Sequence, residues 1–222
     1  MSEEWQARGI DPTVDCVFKR LLGSEDNKVL TLDFLNAFLS HEGEQWLKDL
    51  DFMDPHLVKH HLDDKRPVVD VRVSVADGGM IQIEIQATFY NGLGNRVVYN
   101  WSKMLSCSLA AGENYREMKG AISIWILTEN ILPTEMTEEV ILKFRISCPE
   151  AGLELKRDSY ILVVQLKNWK GQGTLNPAAE RWIRLFREGR DIDLHHPPKY
   201  LDDEEMRMAL DVMSNFAKDR LE

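Results

Sequence analysis

Hydrophobic positions near the start of the chain recur with the period of a helix. Val14, Val17, Phe18, Leu21 and Leu22 stand at i, i+3, i+4, i+7 and i+8. Asp11-Pro12-Thr13 precede them as a helix opening, with Asp as the cap and Pro in the first turn, and Gly23 follows as a stop. A second helix is predicted over about 27–40, with Leu30, Phe34, Ala37 and Phe38 along one stripe. Leu50 to Met53 reads as a short strand that Asp54-Pro55 breaks.

From Val68 the period changes to two, the signature of a strand with one buried face. Val69, Val71, Val73 and Val75 alternate with Asp70, Arg72 and Ser74. After Asp77-Gly78-Gly79 the parity continues, with Ile81, Ile83, Ile85 and Ala87 odd and Gln82, Glu84 and Gln86 even. Two strands, 68–75 and 80–87, therefore share one polar face. Facing residues of a hairpin lie on the same side of the sheet, so even positions must pair with even ones, which excludes a plain two-residue loop. A three-residue loop with Gly79 in the left-handed region pairs Ala76 with Met80, Asp70 with Gln86 and Arg72 with Glu84. Asp70 and Glu84 then become diagonal neighbours, roughly 7–8 Å apart, a separation from which two carboxylates can reach one ion.

Residues 91–111 read as a helix that Gly112 stops, with Arg96, Tyr99 and Lys103 at i, i+3 and i+7. Residues 121–128 are apolar at nearly every position, as expected of a central strand. Residues 140–147 alternate and look half exposed, 160–166 look buried, and these two are expected beside the central strand. Asn176-Pro177 caps a helix through about Glu188, Pro197-Pro198 breaks the chain, and 203–221 form a closing helix. This order predicts an α/β fold, a mixed sheet with helices on both faces. We expect a single domain over 1–222, with a core over about 11–170 and a C-terminal helical region over about 176–222.

Composition narrows the class. With 222 residues, 44% hydrophobic and 29% charged, the chain suits one substantial folded core. The N-terminus, Met1-Ser2-Glu3-Glu4-Trp5-Gln6, lacks the basic start and apolar stretch of a signal peptide, and no run is apolar enough to span a bilayer. A cytoplasmic location without membrane partners is the expectation. Cys16, Cys107 and Cys148 are far apart and set among apolar neighbours, which predicts buried reduced thiols. The formal charge of −10 argues against coating nucleic acid by bulk electrostatics. It leaves room for an enzyme that gathers Lys and Arg in one groove and lets a bound cation face the phosphates.

The polar face carries the candidate chemistry. Hard cations take oxygen ligands on rigid elements, and phosphodiester hydrolysis needs a cation to activate water and stabilise charge on phosphate. Asp70 and Glu84 are the candidate metal ligands, Gln86 or its backbone carbonyl would place the water or complete the shell, and Arg96 or Lys103 would steady the phosphate. A merely solvated strand face shows the same alternation. His56, His60 and His61 beside Asp63 and Asp64 lack the ligand spacing of a zinc site, and solvated loop histidines explain them better. Tyr99 and Trp101 are read as packing residues, with base stacking as the alternative.

Asp15-Cys16-Val17-Phe18-Lys19-Arg20-Leu21-Leu22-Gly23, then Phe34-Leu35-Asn36-Ala37-Phe38-Leu39, then Asp63-Asp64-Lys65-Arg66-Pro67-Val68-Val69-Asp70-Val71 occur in that order. Ile83-Glu84-Ile85-Gln86, Tyr99-Asn100-Trp101-Ser102-Lys103 and Trp182-Ile183-Arg184-Leu185-Phe186 follow. In these segments the chain resembles the PD-(D/E)xK nuclease family transposases, also called recombination-promoting nucleases, from about Asp11 onward. The resemblance implies a restriction-endonuclease-like core, a Mg²⁺- or Mn²⁺-dependent DNA endonuclease acting in recombination or transposition, and Asp70 and Glu84 as metal ligands. DNA is the implied partner, and a homodimer is compatible with it. Gln86 stands where most PD-(D/E)xK enzymes have Lys, and the resemblance implies that Glu-x-Gln is common within the transposase-like branch; an amide cannot supply that positive charge, for which Arg72, Arg96 and Lys103 are candidates. Asp15 is the nearest candidate for an acidic residue on the first helix, although the helix dipole explains it equally well. Relative to longer members the chain stops soon after Asp219, an expected loss of a dimerisation or DNA-contacting element. The alternative, a DNA-binding or interaction domain without catalysis, rests on Gln86, the acidic balance and that short end.

Overall fold

The computed structural model describes residues 9–40, 47–56, 69–133, 135–171, 175–194 and 196–219. In chain order the helices and strands are α1 (Asp15–Leu22), α2 (Lys28–Leu39), β1 (Leu50–Phe52), β2 (Val71–Val75), β3 (Met80–Gln86), α3 (Leu93–Ser106), β4 (Ala121–Leu127), β5 (Ile141–Arg145), β6 (Ser147–Cys148), β7 (Leu153–Glu154), β8 (Tyr160–Gln165), α4 (Pro177–Glu188) and α5 (Glu204–Asp219). The fold is α/β with a mixed sheet, as the alternation of periods predicts. Two compact units divide it: residues 49–168, which hold both sheets, and residues 1–48 with 169–222, whose described elements are helices. His60, His61, Asp63, Asp64 and Val68 lie outside the described residues.

In the sheet unit six strands run in the order β1-β2-β3-β4-β8-β5. The β1–β2, β2–β3 and β5–β8 pairs are antiparallel, while β3–β4 and β4–β8 are parallel. The apolar strand β4 is buried at every position in the middle of this sheet, and β8 is its buried neighbour. β5 does not pair with β4 as expected; it closes the edge beyond β8, with Ile141 and Leu142 half-buried and Lys143, Phe144 and Arg145 exposed.

The β2–β3 hairpin has the expected parity and a different register. Val75 donates its N–H to Gly79 and accepts one from Gly78, so the three-residue loop is Ala76-Asp77-Gly78. The left-handed residue is Gly78, at φ 82°, rather than Gly79. Asp77 Oδ1 accepts the Gly79 N–H at 2.8 Å and fixes the turn one residue earlier than the sequence suggests. Arg72 accordingly faces Gln82 instead of Glu84.

The polar face of this hairpin is covered. Leu93, Val97, Trp101 and Met104 of α3 pack with Met80 of β3, Ala121, Trp125 and Leu127 of β4, and Ile161 and Val163 of β8. Gln82 and Glu84 are thus buried on a face whose alternation alone reads as solvated. Gln82 Nε2 donates to Ser123 Oγ at 2.6 Å, and Trp125 Nε1 donates to the same oxygen at 2.8 Å. α3 ends at Ser106, before the expected Gly112. The Ser106 and Ser108 hydroxyls donate to the Lys103 and Leu105 carbonyls, local bonds that compete with continuing the helix.

In the helical unit, Phe18, Phe34, Phe38, Trp182 and Phe186 of α1, α2 and α4 form one aromatic cluster. Asp33 accepts from Arg181 at 2.5 Å and from Trp182 Nε1 at 2.7 Å, and Arg181 also holds Asp203. Asn176 caps α4 through the Ala178 N–H, as predicted. Asp11 does not cap α1: its carboxylate bonds Thr13, and the residue at the cap is Val14. No disulfide joins the three cysteines, but Cys16 and Cys148 are exposed and Cys107 half-buried. Cys16 lies off the buried stripe of α1, so its apolar neighbours in sequence are not its neighbours in space.

Candidate metal centre

The site is assembled where β3, the residue leading into β2 and the first turns of α3 meet. Asp70 directly precedes β2, and one step beyond the paired residues it falls opposite Glu84. Its Oδ2 accepts the Ile85 N–H at 2.8 Å, which joins it to β3 before the ladder begins. Asp70 and Glu84 are therefore cross-strand neighbours rather than diagonal ones, a consequence of the earlier turn.

Glu84 is 1% exposed, so its carboxylate depends on protein donors for the solvation it has lost. Asn100 Nδ2 approaches Oε1 at 3.3 Å and an Arg96 Nη approaches Oε2 at 3.4 Å. The other Arg96 Nη donates to Gln86 Oε1 at 3.1 Å and meets the Tyr90 hydroxyl at 3.4 Å. Gln86 in turn donates to the Thr88 carbonyl at 3.0 Å, which leaves its amide oxygen turned to the guanidinium. One arginine fork thus spans two side chains two residues apart on the same face of β3.

The helix supplies these donors through its own phase. Arg96 and Asn100 are i and i+4 on α3, one turn apart and aimed at the same strand. Gly92, at φ 97°, makes the turn into the helix, and Trp101 Nε1 donates to the Ala121 carbonyl at 2.9 Å, seating α3 against β4. The Arg96 guanidinium lies 5.4 Å from the centre of the Trp125 ring. Burial works against its charge, but the Tyr90 hydroxyl, Glu84 and Asp70 together raise its pKa above the ordinary arginine value.

The structure gathers Glu84, Gln86 and Arg96 into direct contact and ties Asp70 to the same strand. Lys103 lies two turns along α3 from Arg96 and is half-buried. Arg72 does not share this role. It is 6% exposed, held against Met80 Sδ at 3.1 Å, and burial lowers its pKa, with Cys107 and Asp54 opposing. Asp15 pairs with Lys19 one turn away on the surface of α1, as a first-turn acid does. His56 is bonded to Asp54, and Trp101 is a packing residue. Asn100 is the member that sequence reasoning passed over; its spacing of four from Arg96 on an amphipathic helix is the signal that finds it. Among the described residues no group of three or more His, Cys, Asp or Glu side chains forms a metal cluster, so the site offers two carboxylates and an amide.

A family model described as PD-(D/E)XK nuclease family transposase matches residues 12–222. Comparison with curated proteins and with solved structures returns no match. Among the described residues no helix is long and apolar enough to cross a membrane.

Proposed function

Because the chain belongs to the PD-(D/E)XK nuclease family transposases, we propose that it is a divalent-metal-dependent DNA endonuclease whose site is Asp70, Glu84 and Gln86, with Arg96 as its cation. The observation that carries this reading is the Arg96 fork on Glu84 and Gln86. It puts a positive charge beside the amide that stands where most such enzymes have a lysine.

The donor set fits a hard cation. Two carboxylates and an amide oxygen are all oxygen ligands, and Mg²⁺ is commonly held by one or two carboxylates with waters and phosphate oxygens completing the shell. When bound there, such an ion supplies a more acidic water and charge stabilisation on the phosphate. Asp70, just before β2, and Glu84 on β3 would hold it together. The Asn100 amide fixes the orientation of Glu84, and the Ile85 N–H fixes that of Asp70. Gln86 accepts or donates a hydrogen bond at the attacking water, and Arg96 offers two N–H groups in a plane, the arrangement that suits a phosphate. A role in recombination or transposition follows from the family alone.

Incubation of supercoiled DNA with the purified chain and Mg²⁺ or Mn²⁺ tests this, with metal removed by chelator in parallel. Nicking that stops on chelation is the expected result; intact DNA under every divalent ion overturns it. The absent lysine favours one other reading, a domain that binds DNA without cutting it. That reading predicts salt-sensitive binding and no cleavage.

A further inference from the structure

Glu84 and Gln86 meet two demands that compete. A cation held by the Glu84 carboxylate and the Gln86 amide oxygen would draw on the same groups that the Arg96 guanidinium now holds, at 3.4 Å and 3.1 Å. A guanidinium and a divalent ion repel each other at contact distance, and neither oxygen can serve both in full. Glu84 is buried, so the fork also supplies hydrogen bonding that its side chain no longer takes from water.

The surroundings let Arg96 yield while the rest stays put. Its side chain is 40% exposed, whereas that of Glu84 is 1% exposed. Tyr90, 39% exposed, accepts at 3.4 Å from the Nη that bonds Gln86 and offers a second anchor as the other Nη leaves Glu84. Asn100 is 1% exposed and reaches Glu84 through the other oxygen, so it keeps the carboxylate oriented in either state.

We propose that Arg96 is an internal counter-ion that competes with the metal for Glu84 and Gln86, so that metal capture releases its guanidinium toward the phosphate. This rests on the reading of Asp70 and Glu84 as a divalent-cation site. It makes Arg96 a positioning residue for the metal ligands that becomes a phosphate contact only once displaced. The two occupants are negatively coupled: whatever weakens the Arg96 contact strengthens metal binding by the same factor.

Calorimetric titration of Mn²⁺ into the full-length wild type, Arg96→Gln and Arg96→Ala tests the coupling without reference to cleavage. The glutamine variant keeps a donor for Gln86 and Tyr90 and removes the charge, which covers the case in which the alanine variant folds poorly. Both variants are expected to bind Mn²⁺ on the order of tenfold more tightly than wild type. Both are also expected to melt lower than wild type without metal, a gap that closes at saturating Mn²⁺. Equal or weaker Mn²⁺ affinity in Arg96→Gln overturns the proposal and leaves the metal site standing. No Mn²⁺ binding by wild type or either variant overturns the metal site and the proposal with it.

Discussion

The Asp70 carboxylate accepts the backbone N–H of Ile85 at 2.8 Å, and through that bond a residue just outside β2 is held against β3. The bond separates two roles that one substitution would otherwise confuse. Asp70→Asn keeps an oxygen that can accept the Ile85 N–H and loses the charge, so its melting temperature is expected to stay close to that of wild type. Asp70→Ala loses both and is expected to cost about 1.5 kcal/mol, the scale of a hydrogen bond to a charged acceptor. Denaturant unfolding of the two variants reads the difference; equal stability would assign Asp70 no structural part.

Gln86 invites a charge-adding experiment, placement of a lysine at that position. Here the amide oxygen accepts from Arg96 at 3.1 Å, so Gln86→Lys sets an ammonium against a guanidinium whose charge is already reinforced by its surroundings. The variant is expected to melt lower than wild type and to cut DNA no faster. A rise in cleavage rate without loss of stability would mean that Arg96 does not fill the lysine's place.

The architecture was largely legible in the chain. β4 is apolar at every position but Ser123 because it is central, and the parity of 69–87 requires a hairpin with an odd loop. Three features were not. The loop begins one residue earlier because Asp77 bonds Gly79 and Gly78 takes the left-handed position, a choice between two adjacent glycines that alternation cannot make. The even face looks solvated because Gln82 and Glu84 are polar, yet α3 buries them through bonds to Ser123, Asn100 and Arg96 that are 12 to 41 residues apart in sequence. Asn100 carries no charge and no motif; only the helical phase it shares with Arg96 marks it.

Gly78 provides a direct check on that turn. A Cβ there would meet only the flexible Lys119 side chain, at 3.4 Å, so crowding is slight and the penalty comes from φ at 82°. Gly78→Ala is expected to lower the unfolding free energy by about 1–2 kcal/mol, whereas Gly79, which has no positive φ, does not carry this conformational penalty. Urea unfolding of Gly78→Ala tests the assignment; a variant as stable as wild type would count against Gly78 as the left-handed residue of the turn.

The helical unit makes a prediction in pH. Burial raises the Asp33 carboxyl above its ordinary 3.8, and the opposing pull of Arg181 and of the Trp182 indole N–H does not reverse it. The folded chain therefore takes up this proton at higher pH than the unfolded chain does. The contribution of Asp33 is fully present below the unfolded value and is lost as pH rises through the folded one. The stability of wild type relative to Asp33→Asn is expected to grow as pH falls from about 7 toward about 4. Unfolding of both proteins across that range checks the sign; a relative gain for the variant in acid would show that the Arg181 pair prevails over burial.

The decisive measurement is the rate at which Asp70→Asn nicks supercoiled DNA beside wild type, at equal concentration and with Mg²⁺ or Mn²⁺ present. Substitutions that merely support a metal ligand cost about 10–100-fold. Loss of the ligand itself is expected to cost at least as much while the variant stays folded and the wild type cuts in a metal-dependent way. Cleavage by Asp70→Asn at the wild-type rate, or no cleavage by wild type with either ion, would contradict the assignment of this centre.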